Sequence, residues 1–96
     1  MPSYKKTMES SLARLISLLG QSEESVFSNN SPKELTKLIS IELEHIRKTG
    51  KLAKPDELLF LLLPTNSLQD ISIDNGWGDE FLKIADQIEG VLDKCR

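Results

Sequence analysis

Apolar residues recur at steps of three and four along most of this chain. Between Ser3 and Leu19, the residues Tyr4, Met8, Leu12, Leu15, Ile16 and Leu19 fall on one stripe of a helix. Gly20 follows, where a left-handed C-terminal cap is wanted. Residues 21–30 are polar apart from Val26 and Phe27, and read as one short helical turn that tucks Phe27 under the bundle, then a loop. A second stripe, Leu35, Leu38, Ile39, Leu43 and Ile46, begins after Ser31-Pro32-Lys33-Glu34 and ends at Gly50. That tetrapeptide reads as a capping box. The Ser31 hydroxyl can accept from the Glu34 N–H, the Glu34 carboxylate can return to the Ser31 N–H, and Pro32 loses nothing at the first helical position. Glu42 points into the apolar arc, and is expected to reach the rim or to pair with a lysine from residues 1–54.

Pro55 opens a third helix, with Asp56 and Glu57 in the first turn where the macrodipole favours negative charge. Leu58 to Leu63 is apolar without interruption, which predicts a short, fully enclosed helix at the centre of the bundle. Pro64 stops it. Ser67 predicts the cap of a fourth helix, with Leu68 and Ile71 inward and Asn75-Gly76 as the exit. The alternation from Asp70 to Asp74 also fits a short strand, but a lone strand has no partner, so the helix is preferred. A last helix, from about Asp79 to Lys94, turns Phe81, Ile84, Ala85, Ile88, Val91 and Leu92 inward. Gly78 reads as its cap, and Trp77 can staple onto Leu82. Gly90 predicts close helix packing, because glycine inside a helix costs roughly 1 kcal/mol relative to alanine. Together these elements predict an all-α, compact single-domain bundle of four to five helices over residues 1–96. The segment 64–80 should wrap one end.

Composition narrows the chemistry. Aromatic residues make up only 5% of the chain, so the core must be mostly leucine and isoleucine. The longest apolar run is too short to cross a bilayer, and Glu9, Ser10 and Ser11 interrupt any secretory core near the start. A cytoplasmic location and no membrane partner are expected. His45 and Cys95 are the only histidine and cysteine, which leaves too few ligands for a zinc site and no flanked nucleophilic pair. A calcium loop starting at Asp70 would need glycine where Asn75 stands and glutamate where Phe81 stands, and Ile71 and Ile73 look core-facing. The pairs Asp56-Glu57 and Asp79-Glu80 lie in helix first turns, which accounts for them without acid–base work. Gly76-Trp77-Gly78 lacks the lysine of a phosphate loop. No enzyme activity, metal or cofactor is expected.

Charge is spread unevenly. Residues 1–54 carry nine Lys/Arg against six Asp/Glu, whereas residues 55–96 carry three against nine. No lysine or arginine occurs between Pro55 and Leu82. An acidic face of this kind repels phosphate backbones, which argues against nucleic acid, and steers a basic partner. The expected partner-binding residues are Asp56, Glu57, Asp70, Asp74, Asn75, Trp77, Asp79 and Glu80. Trp77 or a neighbouring apolar residue would be the anchor, since tryptophan is enriched at the energetic centres of interfaces.

The run Leu-Leu-Pro-Thr-Asn-Ser-Leu-Gln-Asp-Ile-Ser-Ile-Asp-Asn-Gly-Trp-Gly-Asp-Glu-Phe-Leu, residues 62–82, resembles a segment of small bacterial proteins. In size, acidity and helical character the chain is similar to immunity proteins of interbacterial toxin systems, such as contact-dependent inhibition and colicins. The resemblance is one of type. It implies a protein that binds one cognate toxin domain, typically a basic nuclease, and occludes its active site. The alternative is a homo-oligomeric regulatory or adaptor module, such as a homodimer, in which the same segment pairs with itself.

Overall fold

The computed structural model describes residues 4–22, 31–63 and 67–96. Its helices are α1 (Tyr4–Gly20), α2 (Pro32–Thr49), α3 (Pro55–Leu61), α4 (Ser67–Asp74) and α5 (Gly78–Leu92), followed by a 3-10 turn at Asp93–Cys95. Among the described residues there is no strand, so the chain folds as an all-α bundle and residues 68–74 take the helical alternative. The turn expected around Phe27 and the stop expected at Pro64 lie outside the described residues.

The helix at the centre is α1. Its buried residues Met8, Leu12, Leu15 and Leu19 form one row, and Ser11 and Leu18 widen it into an arc that serves two neighbours. α2 and α5 both pack on it. α2 contributes Leu35, Ile39, Leu43 and Ile46, while α5 contributes Phe81, Ile84, Ala85, Ile88 and Leu92. Each of these leucine, isoleucine and phenylalanine side chains stabilises the fold by about 1.5–3 kcal/mol when fully removed from water. Ser11 is the polar exception on α1, and its hydroxyl donates to Gln87 Oε1 on α5 at 3.2 Å. α4 packs against α5, with Leu68 and Ile71 fully enclosed. The radius of gyration, 12.5 Å, is that of a close-packed chain of this length.

Local signals set the ends of α2. Ser31 is its N-cap, and the hydroxyl accepts from the Glu34 N–H at 3.2 Å. Gly50 ends it with φ of 75°, in the left-handed region, donating its N–H to the Ile46 carbonyl at 2.9 Å. Gly76, with φ of 80°, ends α4 in the same region.

Three expectations are corrected here. α3 is peripheral rather than central: only Leu58 and Leu62 of its apolar run are buried, while Phe60 and Leu63 are exposed. α2 and α5 pack on α1 instead, and α3 is covered on one face only. Leu38, expected on the buried face of α2, is half-exposed because the short α3 does not cover it. The glycines differ as well. Gly20 is the last residue of α1 and has no positive φ, and a side chain at Gly90 would meet nothing within 4 Å.

Candidate functional site

The acidic candidates divide into two groups. Asp56 and Glu57 begin α3, where Arg96 Nη1 lies 3.1 Å from Asp56 and Lys54 Nζ lies 3.8 Å from Glu57. Asp70, Asp74, Asn75, Trp77, Asp79 and Glu80 sit on α4 and the start of α5. Arg96 follows the C-terminal end of α5, whereas Asp79 lies at its start, so Asp56 and Asp79 are tied to opposite ends of that helix.

Within the second group, Asn75, Trp77 and Glu80 make contacts that hold neighbouring elements together. Asn75 terminates α4: its backbone N–H and its side-chain Nδ2 both donate to the Ile71 carbonyl, at 3.0 and 2.9 Å. Trp77 belongs to the core, with only 7% of its surface exposed. Its indole N–H donates to Ser22 Oγ at 2.8 Å, and that hydroxyl donates on to the Leu18 carbonyl at 2.7 Å. Its ring meets Phe81 edge-on at 6.4 Å, in place of the expected staple onto Leu82. Trp77 is also the N-cap residue of α5, its carbonyl accepting from the Phe81 N–H at 2.9 Å. Its backbone N–H donates to the Ser72 carbonyl of α4 at 2.8 Å, so the end of α1, the exit of α4 and the start of α5 meet at one residue. Glu80 is held by Arg14 of α1 at 2.6 Å, and the hydrogen bond from that guanidinium holds its carboxyl below the ordinary glutamate range.

Asp70, Asp74 and Asp79 remain as the carboxylates turned toward solvent, Asp70 less fully than the other two. Between them stands an apolar ridge that the sequence reading missed. Ile73 is 58% exposed and Leu82 is 52% exposed. Gly78 joins them: a side chain on it would come within 3.3 Å of Ile73 Cγ1, and Leu82 follows it by one turn on the same face. Helical spacing carries the signal for Ile73, since Leu68, Ile71 and Ser72 occupy the inward arc of α4 and the next position must point away.

A second feature lies across the molecule, where α3 leans on α2. An open groove of about 340 Å³ runs between them, walled by Leu38 and Ile41 on one side and Phe60 and Leu61 on the other. Glu42 forms part of its lining and is only 6% exposed. Its carboxylate accepts from the backbone N–H groups of Ala53 and Lys54, at 3.1 Å each. Lys54 is the N-cap of α3 and makes no side-chain cap bond of its own. Glu42 supplies that cap from another helix, through backbone N–H groups, where it was expected to reach the rim or to pair with a lysine.

The remaining chemistry is structural. His45 Nδ1 lies 2.7 Å from the Lys51 carbonyl oxygen, which makes that nitrogen the donor and ties down the α2 exit. Cys95 is buried, and burial pushes its thiol above the ordinary cysteine range. Among the described residues no cluster of three His, Cys, Asp or Glu is placed to hold a metal ion, and no helix is long and apolar enough to cross a membrane. No protein-family model, curated protein or solved structure matches this chain.

Proposed function

We propose that this chain is a non-catalytic binding protein of the immunity type, which neutralises a basic toxin domain by covering its active site. The observation that carries the reading is the α4–α5 corner. There the exposed ridge of Ile73 and Leu82 is rimmed by Asp70, Asp74 and Asp79, in a stretch without lysine or arginine up to Lys83. An apolar centre with a mainly acidic rim suits a basic partner: the ridge desolvates on contact, and the rim steers the approach. Ile73 takes the anchoring role expected of Trp77. Trp77, behind it, holds α4 and α5 at a fixed angle, so the surface is preorganised.

The test is co-expression with the C-terminal domain of a large secreted protein encoded immediately upstream of this reading frame. The wild-type chain should restore growth and co-purify with that domain, and a double Asp74→Lys, Asp79→Lys variant should lose both. Growth rescue that persists with both charges reversed would remove the corner from the interface. An isolated gene with no such neighbour would remove the immunity reading itself.

A further inference from the structure

We infer that Asn75-Gly76, at the exit of α4, is a site of spontaneous covalent modification, where the asparagine converts through a cyclic imide to aspartate and isoaspartate. The attacking group is the Gly76 backbone nitrogen, and a residue without a β-carbon leaves that nitrogen uncrowded. Gly76 is exposed, with φ of 80°, and a side chain built on it would meet nothing within 4 Å. Water and hydroxide therefore reach the reacting atoms.

The step takes place within one chain. Hydroxide removes the Gly76 amide proton, and the nitrogen attacks Cγ of Asn75. The N–Cγ bond forms, the Cγ–Nδ2 bond breaks, and Nδ2 takes a proton from water and leaves as ammonia, which returns the hydroxide. One water then opens the ring. Entry at Cγ gives aspartate. Entry at the backbone carbonyl carbon gives isoaspartate, whose main chain is one methylene longer. The net change is one water consumed and one ammonia released.

The fold sets the pace. Asn75 Nδ2 donates to the Ile71 carbonyl at 2.9 Å, and the Gly76 N–H donates to the Ile73 carbonyl at 3.2 Å. Attack waits until the last turn of α4 opens. That helix has only eight residues, and terminal turns are the first part of a helix to fray. Releasing two ordinary hydrogen bonds should slow the conversion about ten- to a hundredfold relative to the unfolded chain, without stopping it.

The products change the corner. Aspartate at position 75 has no N–H to give the Ile71 carbonyl. It also adds a carboxylate at the C-terminal end of α4, close in sequence to Asp74 and Asp79, where the macrodipole opposes negative charge. Isoaspartate shifts Trp77 by one bond relative to α4, out of register with the 2.8 Å bond from its N–H to the Ser72 carbonyl. Either product loosens the joint between α4 and α5 and makes its rim more acidic, whatever partner the corner meets.

The test is to hold the purified full chain in warm, mildly alkaline buffer with and without urea. Anion exchange and mass spectrometry of the peptide that contains position 75 follow the conversion. Folded protein should yield a more acidic species with both aspartate and isoaspartate at this position, about ten- to a hundredfold more slowly than in urea. Asn75→Gln, whose longer side chain disfavours ring closure, should show no conversion there. The converted species should melt about 4–8 °C below the fresh protein, the shift for losing one hydrogen bond in a domain of this size. Conversion confined to the urea sample, aspartate without isoaspartate, equal conversion in Asn75→Gln, or an unchanged melting temperature would each overturn the inference.

Discussion

The α4–α5 corner and the α2–α3 groove expose similar apolar side chains, yet they are anchored by different physics. Behind the corner stands Trp77, a large buried ring with its N–H satisfied by Ser22 and its edge against Phe81. Behind the groove stands Glu42, a buried carboxylate held by two backbone N–H groups, with Leu58 and Leu62 as the buried apolar attachments of α3. One surface is fixed by packing over a wide area, and the other by a directional polar clamp. Packing tolerates few alternatives, while a clamp fails all at once when its acceptor is removed. The corner should therefore be the stiffer of the two, and the groove the one whose walls can separate.

The largest effect should come from Trp77→Ala, which removes the ring and leaves a cavity, at about 3–5 kcal/mol. That is a large part of the stability of any small domain. Urea unfolding followed by circular dichroism measures it, and a cost below that of removing Glu42 would reverse the ranking of the two anchors. Glu42→Ala should destabilise by about 2–3 kcal/mol, since it leaves buried donors without an acceptor. Glu42→Gln should fall between, because its amide keeps one acceptor oxygen and turns its NH₂ toward the other donor. Hydrogen exchange in Glu42→Ala should rise at Ala53 and Lys54 and through α3, while α5 keeps its protection; acceleration spread evenly over both would erase the contrast.

Smaller effects sharpen the same comparison. Gly90 is exposed and open on α5, so Gly90→Ala should stabilise the protein by roughly 0.5–1 kcal/mol with no change at either surface. A loss of stability in the thermal melt would mean that α5 is packed more closely there than the geometry indicates. The Arg14–Glu80 tie is exposed and should matter least for stability. Its signature is in titration. Glu80 has a depressed folded pKa, so whatever the tie contributes is present above the unfolded glutamate value and is lost as pH falls through the folded one. In Arg14→Ala the Glu80 carboxyl should titrate at higher pH, back toward the ordinary range, as followed by carboxyl NMR. An unmoved titration would show that Arg14 is not what holds it.

How much of this was legible in the sequence depended on the range of the interaction involved. Ser31, Gly50 and Gly76 act on backbone groups within a few residues, and each was read correctly from its neighbours. The choice of helix for α4 also followed from local logic, since a strand needs a distant partner. Glu42 shows the opposite. Its place on the apolar stripe was plain, but its acceptors' partners lie eleven and twelve residues on, in a connection that sequence pattern does not place. Gly90 misled for a related reason: a glycine in a helix is explained by close packing only when something packs there.

The candidate surface was legible in part. The absence of basic residues between Pro55 and Leu82 is a fact of the sequence, but it spans elements that diverge in space. Asp56 turns to Arg96, Glu80 turns to Arg14, and Asn75 and Trp77 turn to backbone and core. Linear proximity grouped residues that the fold assigns to separate tasks.

By itself, then, the sequence determined the helices, both caps of α2, the exit of α4 and the acidity of the second half, because periodicity, capping and net charge depend on neighbours along the chain. Which helix is central, which apolar residues remain outside, and which carboxylates face solvent were decided only by tertiary packing. A chain this short builds one core, and it forms on the buried arc of α1. Once α1 took that place, α3 was left at the edge with an open groove beside it, and Ile73 and Leu82 were left on the outer face of the corner that Trp77 fills from within.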